Sequence, residues 1–553
     1  MYPMPVPLRH LFLAISLSLP LLAAAQTTPP ALPSIEQPTF RRDTVDIRRL
    51  GAVADGQTIN TTTITQAIEQ CSRNGGGTVL IPRGLWLTGP LVLKSHVNLH
   101  LATGALLQFT SDRSAYPLVR TTWEGRDAIR CQAPLSATDA ESIAITGNGV
   151  IDGAGDAWRM VKKSKLTADQ WKKRIASGGV VNAKGDIWYP SAQSLRGATE
   201  AESGQANTSL NPADVADTKD FLRPNLLSLT RCRRVLLDGV TFQNSPAWCL
   251  HPLLCQEVTL RNLTVRNPWY AQNGDGLDLE SCRNSLIDNC IFDVGDDGIC
   301  LKSGRDEDGR KRGVPTENVL VSNCRVYHAH GGFVIGSEMS GGVRNVLVRN
   351  CTFMGTDVGL RFKTARGRGG VVENIYVDGV DMTDIAGEAI LFDMYYMAKD
   401  PVPQQGESNE LPEIAAEPLS DGTPRFRQFT VRNVTCRGAE TAILIRGLPE
   451  MAVSDIRIED AVLQSHKGLV CIEAERITLS RVSLLCDSKP VMQFQNSRHV
   501  TLDTIRYPAA TDLLTTVTGN RSADIRLLHT DTSKARQEIS LGSTVTAGSY
   551  LHK

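Results

Sequence analysis

Asn318-Val-Leu-Val-Ser-Asn-Cys324-Arg-Val returns 27 residues later as Asn345-Val-Leu-Val-Arg-Asn-Cys351-Thr-Phe, and is preceded 34 residues earlier by Ser285-Leu-Ile-Asp-Asn-Cys290-Ile-Phe. Apolar side chains alternate within each copy, which is the period of a strand with one face buried. Looser copies follow at 374–380, 429–436 and 455–462. The steps fit one coil of chain plus a loop of variable length, and no helix-length segment separates the strands. That pattern excludes βαβ units and predicts an all-β fold, a single parallel β-helix in which each coil is buried against its neighbours.

Outward from this repeat, the chain reads as one long domain, residues 43–553. At its start Ile64, Ala67, Ile68 and Cys71 fall at i, i+3, i+4 and i+7, so a helix is expected to cap the open end of the solenoid. Two stretches break the rhythm and are expected to project as long loops: 158–222, with a partly helical passage around 166–176, and the Pro- and Glu-rich 398–425. The first enters the chain about two coils before Asp275, which places it near the mouth of any groove there. Residues 26–42 form a flexible leader. Before them, Arg9 and His10, the apolar run 11–22 and Ala23, Ala24 and Ala25 read as a signal peptide, residues 1–25. A secreted or periplasmic location follows, and no later run is long enough to span a membrane.

Lys plus Arg equals Asp plus Glu at 59 each, so no global field draws in nucleic acid or a membrane surface. Any recognition of charge is local. The 13 cysteines are an odd number, and Cys290, Cys324 and Cys351 each follow an asparagine at the same point of the repeat. Small apolar side chains stacked in the core explain that placement better than disulfides, with Cys249 and Cys255 the nearest pair for a bridge.

The chemistry sits in Asn273-Gly274-Asp275, Gly295-Asp296-Asp297-Gly298, His330 and Arg361-Phe362-Lys363. Each alone is also the text of an ordinary turn or exposed strand. Their successive separations of 21, 33 and 31 residues are about one coil each, so in a solenoid they share one face. Paired carboxylates can protonate a glycosidic oxygen and activate water, and crowding three of them forces one to keep its proton. Arg361 and Lys363 select an anionic partner. Asp296 and Asp297 are adjacent, and successive strand residues face opposite ways, so both reach one groove only from a turn or bulge, which the flanking glycines permit.

With these motifs in this order, the chain resembles glycoside hydrolase family 28, the polygalacturonases and their relatives, over roughly residues 43–510. The family pattern is Asn-Thr-Asp, Asp-Asp, Gly-His-Gly and Arg-Ile-Lys, so Gly274, Ala329 and Phe362 are departures. The resemblance implies a right-handed β-helix and an inverting hydrolase of α-1,4-galacturonosyl linkages in pectin, with no cofactor or metal and acting as a monomer. Asp296 would be the general acid, Asp275 and Asp297 would activate water, and His330 would support the acid. Asn273, Arg361, Lys363 and, less directly, Lys302 and His251 would contact an anionic polysaccharide. The phrases at 331–338 and 361–370 are closer to bacterial exo-acting members. Competing readings are a rhamnogalacturonan hydrolase of the same family, a β-helical lyase that binds Ca²⁺ through the Asp cluster, and a non-catalytic β-helical adhesin.

Overall fold

The structure, a computed structural model, describes residues 28–396 and 414–553. The expected signal peptide and much of the 398–425 insertion lie outside the described residues.

Strands stack in parallel, coil on coil, as a right-handed β-helix. On one face, Leu227–Thr230, Leu250–Leu253, Leu277–Glu280, Ile299–Lys302, Gly331–Ile335, Val358–Lys363 and Glu388–Asp393 pair in that order, with Leu227, Leu250, Leu277, Ile299, Phe333, Leu360 and Ile390 in register. Alternation along these strands sends Leu279, Leu301, Ile335, Phe362 and Phe392 inward, all fully buried. Phe362 packs on Phe392 and Phe429 with ring centroids 4.7 and 4.8 Å away, so the Phe-for-Ile departure is settled in the core and leaves the groove untouched.

The repeated asparagines turn the corners. Asn284, Asn318, Asn345 and Asn374 have φ of 55–58°, a left-handed conformation that asparagine adopts more readily than most residues. Their amides donate in sequence from coil to coil, Asn318 to Asn284 at 3.0 Å, Asn345 to Asn318 at 3.1 Å and Asn374 to Asn345 at 2.6 Å. Asn289, Asn323 and Asn350 make the next corner, and the cysteine after each points into the core. All 13 cysteines are free and buried; Cys249 and Cys255 are not bridged.

A helix, Thr61–Arg73, covers the N-terminal end with Ile64, Ala67, Ile68 and Cys71 buried, as the spacing predicts. The 158–222 insertion carries more regular structure than loops: helices Ala168–Ala176 and Ala192–Glu202 and a small antiparallel sheet. Its apolar cluster of Val161, Trp171 and Trp188 packs on Tyr270, in the loop leading to Asn273, which sets it beside the groove. The strand Arg425–Arg437 starts where the second insertion ends.

A hairpin, Leu118–Trp123 with Arg126–Cys131, and a short helix, Asp306–Arg312, were not anticipated by the repeat. The hairpin's two-residue turn, Glu124-Gly125, has positive φ at both positions, and Gly at the second is a legible hairpin signal. No helix among the described residues is long and apolar enough to cross a membrane.

Candidate active site

The acidic residues sit where chain enters the site-bearing face. Asp275 and Asp297 each precede a strand by two residues and stack in adjacent coils, with Gly276 N donating to Asp297 O at 2.9 Å. Asp296 and Asp297 lie in a bend between Ile291–Asp293 and Ile299–Lys302, so both turn to one groove. The flanking glycines serve closeness of approach rather than a left-handed backbone. Neither has positive φ, but a Cβ on Gly295 would meet Pro268 O at 2.5 Å and one on Gly298 would meet the Val326 side chain at 2.5 Å.

One oxygen of each of Asp275, Asp296 and Asp297 lies within 4.8 Å of the others. Lys363 Nζ donates to Asp297 Oδ2 at 2.7 Å, and Arg361 Nη1 donates to Oδ1 at 3.4 Å and to the His330 carbonyl at 3.3 Å. Both cations lie near the Tyr396 ring, 4.8 Å for Lys363 and 5.8 Å for Arg361. His330 Nδ1 is 3.1 Å from Asp296 Oδ1, and its Nε2 is 3.7 Å from Asp357. The Asn273 N–H donates to Asp296 Oδ2 at 3.3 Å. Among the three carboxyls Asp296 is the accessible one: its side chain is 21% exposed, against 2% for Asp297.

These surroundings divide the carboxyls. Burial, reinforced by Asp278 and Asp296, pushes the Asp275 carboxyl well above the usual range. Burial would do the same to Asp297, but Lys363, Arg361 and Lys302 outweigh it and hold that group well below. Asp278, also buried, is raised in the same way, so burial disfavours charge on the Asp275–Asp278 pair. Hydrogen bonding to Asp296 raises His330 above its ordinary value, against the opposing effect of burial.

Two further expected ligand contacts, Lys302 and His251, are buried. Lys302 is buried; its ammonium donates to Glu338 at 2.8 Å, lies 3.5 Å from Asp278 and sits 4.7 Å from the Trp248 ring centre. Burial opposes ionisation of Glu338, yet Lys302 holds it down to about 2. His251 stacks one coil before Asp278, but it is 1% exposed, with Nε2 2.9 Å from Glu280 and Nδ1 3.1 Å from the Asn225 amide. His251 is thus an interior post, whereas Lys302, 4% exposed, is buried to the same degree as Lys363 at 5% and acts on both Asp275 and Asp297. The further basic residues are also committed, Arg366 to Glu450 and Arg368 to Asp306.

The sequence reading missed Asp278, Glu338 and Arg223. In Leu277-Asp278-Leu279-Glu280, alternation already turns Asp278 and Glu280 outward, a signal that was available. Arg223 carries none: its guanidinium donates to Asn273 Oδ1 at 2.9 Å and to the Pro246 and Gln272 carbonyls, across up to 50 residues of chain.

Residues 163–419 match the profile described as Glycosyl hydrolases family 28. The chain is 30% identical over 342 residues to a probable polygalacturonase of Vitis vinifera, covering 60% of this chain and 59% of that one. It is 29% identical over 420 residues to an exo-poly-alpha-D-galacturonosidase of Dickeya chrysanthemi, covering 73% and 64%. It thus spans about three fifths of the length of these relatives. The fold of a Yersinia enterocolitica family 28 exopolygalacturonase superposes with a TM-score of 0.60 at 22% identity, covering 87% of this chain and 78% of that one. An exopolygalacturonase from Thermotoga maritima superposes with a TM-score of 0.63 at 34% identity, covering 78% of this chain and 89% of that one. With that identity carried along nearly the whole of a solved relative, and with the four motifs meeting in one groove, the chain belongs to glycosyl hydrolase family 28.

Proposed function

We propose that this protein is an inverting hydrolase that cuts α-1,4-galacturonosyl linkages of pectin from a chain end. The observation that carries the reading is the convergence of an accessible carboxyl, Asp296, a cation-held carboxylate, Asp297, and two cations that can also receive a uronate. Asp296, with His330 at its back, protonates the leaving oxygen. Asp297 takes a proton from water that Asp275 helps to hold, and Arg361 and Lys363 bind the substrate carboxylate.

Inversion has a stereochemical test. The oxygen spacing is tighter than the ~6.5–9.5 Å usual between the carboxyls of inverting pairs. Asp297 has both oxygens on cations and burial disfavours charge on Asp275, so neither offers a free nucleophile, which favours direct attack by water. The expected first product by NMR is the β-anomer; an α-anomer overturns inversion.

Attack at a chain end is supported by the hairpin. Trp123 stacks on Trp248, with ring centroids 5.7 Å apart, and Trp248 lies one coil before Asp275. The turn is tied across to the next loop: Arg305 donates to Glu124 at 2.7 Å, Arg126 pairs with Asp306, and Arg312 donates to the Gly125 carbonyl. This strap walls the groove on that side. Early chromatograms of digested polygalacturonate should show one small product, and a ladder of oligomers would refute the end-on reading. Action on rhamnogalacturonan alone would move the substrate within the family, and inactivity on both would sink the assignment.

The three carboxyls could also span a divalent cation, as the lyase reading requires. Lys363 and Arg361 already place two positive charges there, which favours acid–base use. Activity insensitive to chelator, without an ultraviolet-absorbing product, is the expected result.

The pH profile follows from His330. The His330–Asp296 pair holds the transferable proton, so kcat/KM should fall as pH rises through the His330 value, which lies above 6.5. In His330→Asn that alkaline limb should move to lower pH; an unmoved limb removes His330 from the proton's path. We also propose that the enzyme is exported, on the strength of its N-terminal apolar run.

A further inference from the structure

Trp123 and Arg126 are cross-strand partners on either side of the hairpin turn, and each begins a path of contacts that ends at the Lys302 ammonium. From Trp123 the path is short: its ring stacks on Trp248 at 5.7 Å, and the ammonium sits 4.7 Å from the Trp248 ring centre. From Arg126 it is longer. Arg126 pairs with Asp306, Asp306 pairs with Arg368, and Arg368 Nη2 donates to Ser337 Oγ at 3.4 Å. The Ser337 hydroxyl donates to Glu338 Oε1 at 3.1 Å, and Glu338 Oε2 accepts from Lys302 at 2.8 Å. The two paths close a ring drawn from segments far apart in the chain.

Lys302 stands where that ring meets the acids. Its ammonium is 3.5 Å from Asp278, and its charge counters the burial of Asp275 and helps to hold Asp297 ionised. A lysine ammonium rides on a flexible stem, so it keeps one place only where partners hold it from more than one side. Here Trp248 covers it and Glu338 draws it, and both contacts run back to the tip of the hairpin. The ring also passes from surface to interior: the Arg126 side chain is 48% exposed, that of Arg368 is 10% exposed, and Lys302 is buried. It can therefore be opened at Arg126 with little harm to the core.

We propose that Trp123 and Arg126 are positioning residues: docking of the hairpin closes the ring that fixes Lys302 among the carboxyls, so the strap completes the active site as well as walling it. The reaction that this serves rests on the hydrolase reading above; the ring itself does not.

The experiment follows hydrolysis of digalacturonate, a substrate too short for the wall to sort chain ends from interiors. Arg126→Gln should lower kcat by about 2- to 30-fold with KM nearly unchanged, and Arg126→Lys should restore it. The acidic limb of kcat/KM should move to higher pH, because a displaced Lys302 no longer holds down Asp297. Trp123→Leu opens the ring from its other side and should give the same shift. With Lys302→Met and Glu338→Gln introduced together, so that neither is left as a lone buried charge, Arg126→Gln should cost nothing further. A loss that persists in that background, an unmoved acidic limb, or a change confined to the product pattern on polymer overturns the proposal. Hydrogen exchange needs no substrate, so it keeps failure of the hydrolase reading apart from failure of the ring. In Arg126→Gln the segment 337–341 should exchange faster; faster exchange confined to 118–131 breaks the ring even if the parent protein hydrolyses nothing.

Discussion

Asp296→Asn is expected to lower kcat on polygalacturonate by about 10² to 10⁴, the contribution of a positioned general acid. The amide keeps the shape and accepts from Asn273 N–H, but it has no proton to give to the leaving oxygen. Because Asp296 is the exposed member of the cluster, the substitution should leave the fold intact. Substrate binding should change little, so the loss should appear in kcat with KM nearly constant. The readout is release of reducing ends under saturating polygalacturonate, with near-native melting as the control. A rate within tenfold of the parent would remove Asp296 from the acid's role and point to Asp275, a carboxyl whose charge burial disfavours.

Lys363→Met should be the most damaging change at the other end of the mechanism. It strips the 2.7 Å partner from a carboxylate that is almost wholly buried, leaving Arg361 at 3.4 Å as the remaining cation on it. Removing one member of a buried pair costs about 3–5 kcal/mol, and the residual Arg361 contact points to the lower end. Asp297 is held below its unfolded value, so its stabilising contribution is present above about pH 4 and fades as pH falls toward its depressed folded value. The stability gap between parent and variant should therefore be widest near neutrality and narrow on acidification below about pH 4. Denaturant midpoints at the two pH values measure it; a gap that widens in acid would contradict the ion-pair account. Activity should fall too, because Asp297 would bind a proton in the range where it must accept one.

The fold was legible to an unusual degree because a solenoid repeats its instructions. Asn318, Asn345 and their neighbours mark the corners, Cys324 and Cys351 mark the core, and coil spacing follows from counting between them. The capping helix was equally plain from its apolar stripe. The hairpin 118–131 escaped because it lies outside the repeat, although its Glu124-Gly125 turn was readable. Its fastening to Arg305 and Asp306 was not, since that contact joins segments about 180 residues apart.

The amino-acid sequence by itself determined the parallel coils, the shared face for Asp275, Asp296, Asp297, His330, Arg361 and Lys363, and the family pattern these residues make. Local alternation and a fixed coil length suffice for that, because both depend on near neighbours and on counting. Only the tertiary structure decided which of those charges meet solvent. It buried Lys302 and His251, left Asp296 the most accessible of the three acids, raised the carboxyl values of Asp275 and Asp278 through burial, and stacked Trp123 of the hairpin on Trp248. Burial and the pairing of charges are properties of packing between distant segments, and no spacing along the chain encodes how deeply a carboxyl lies or which cation reaches it first.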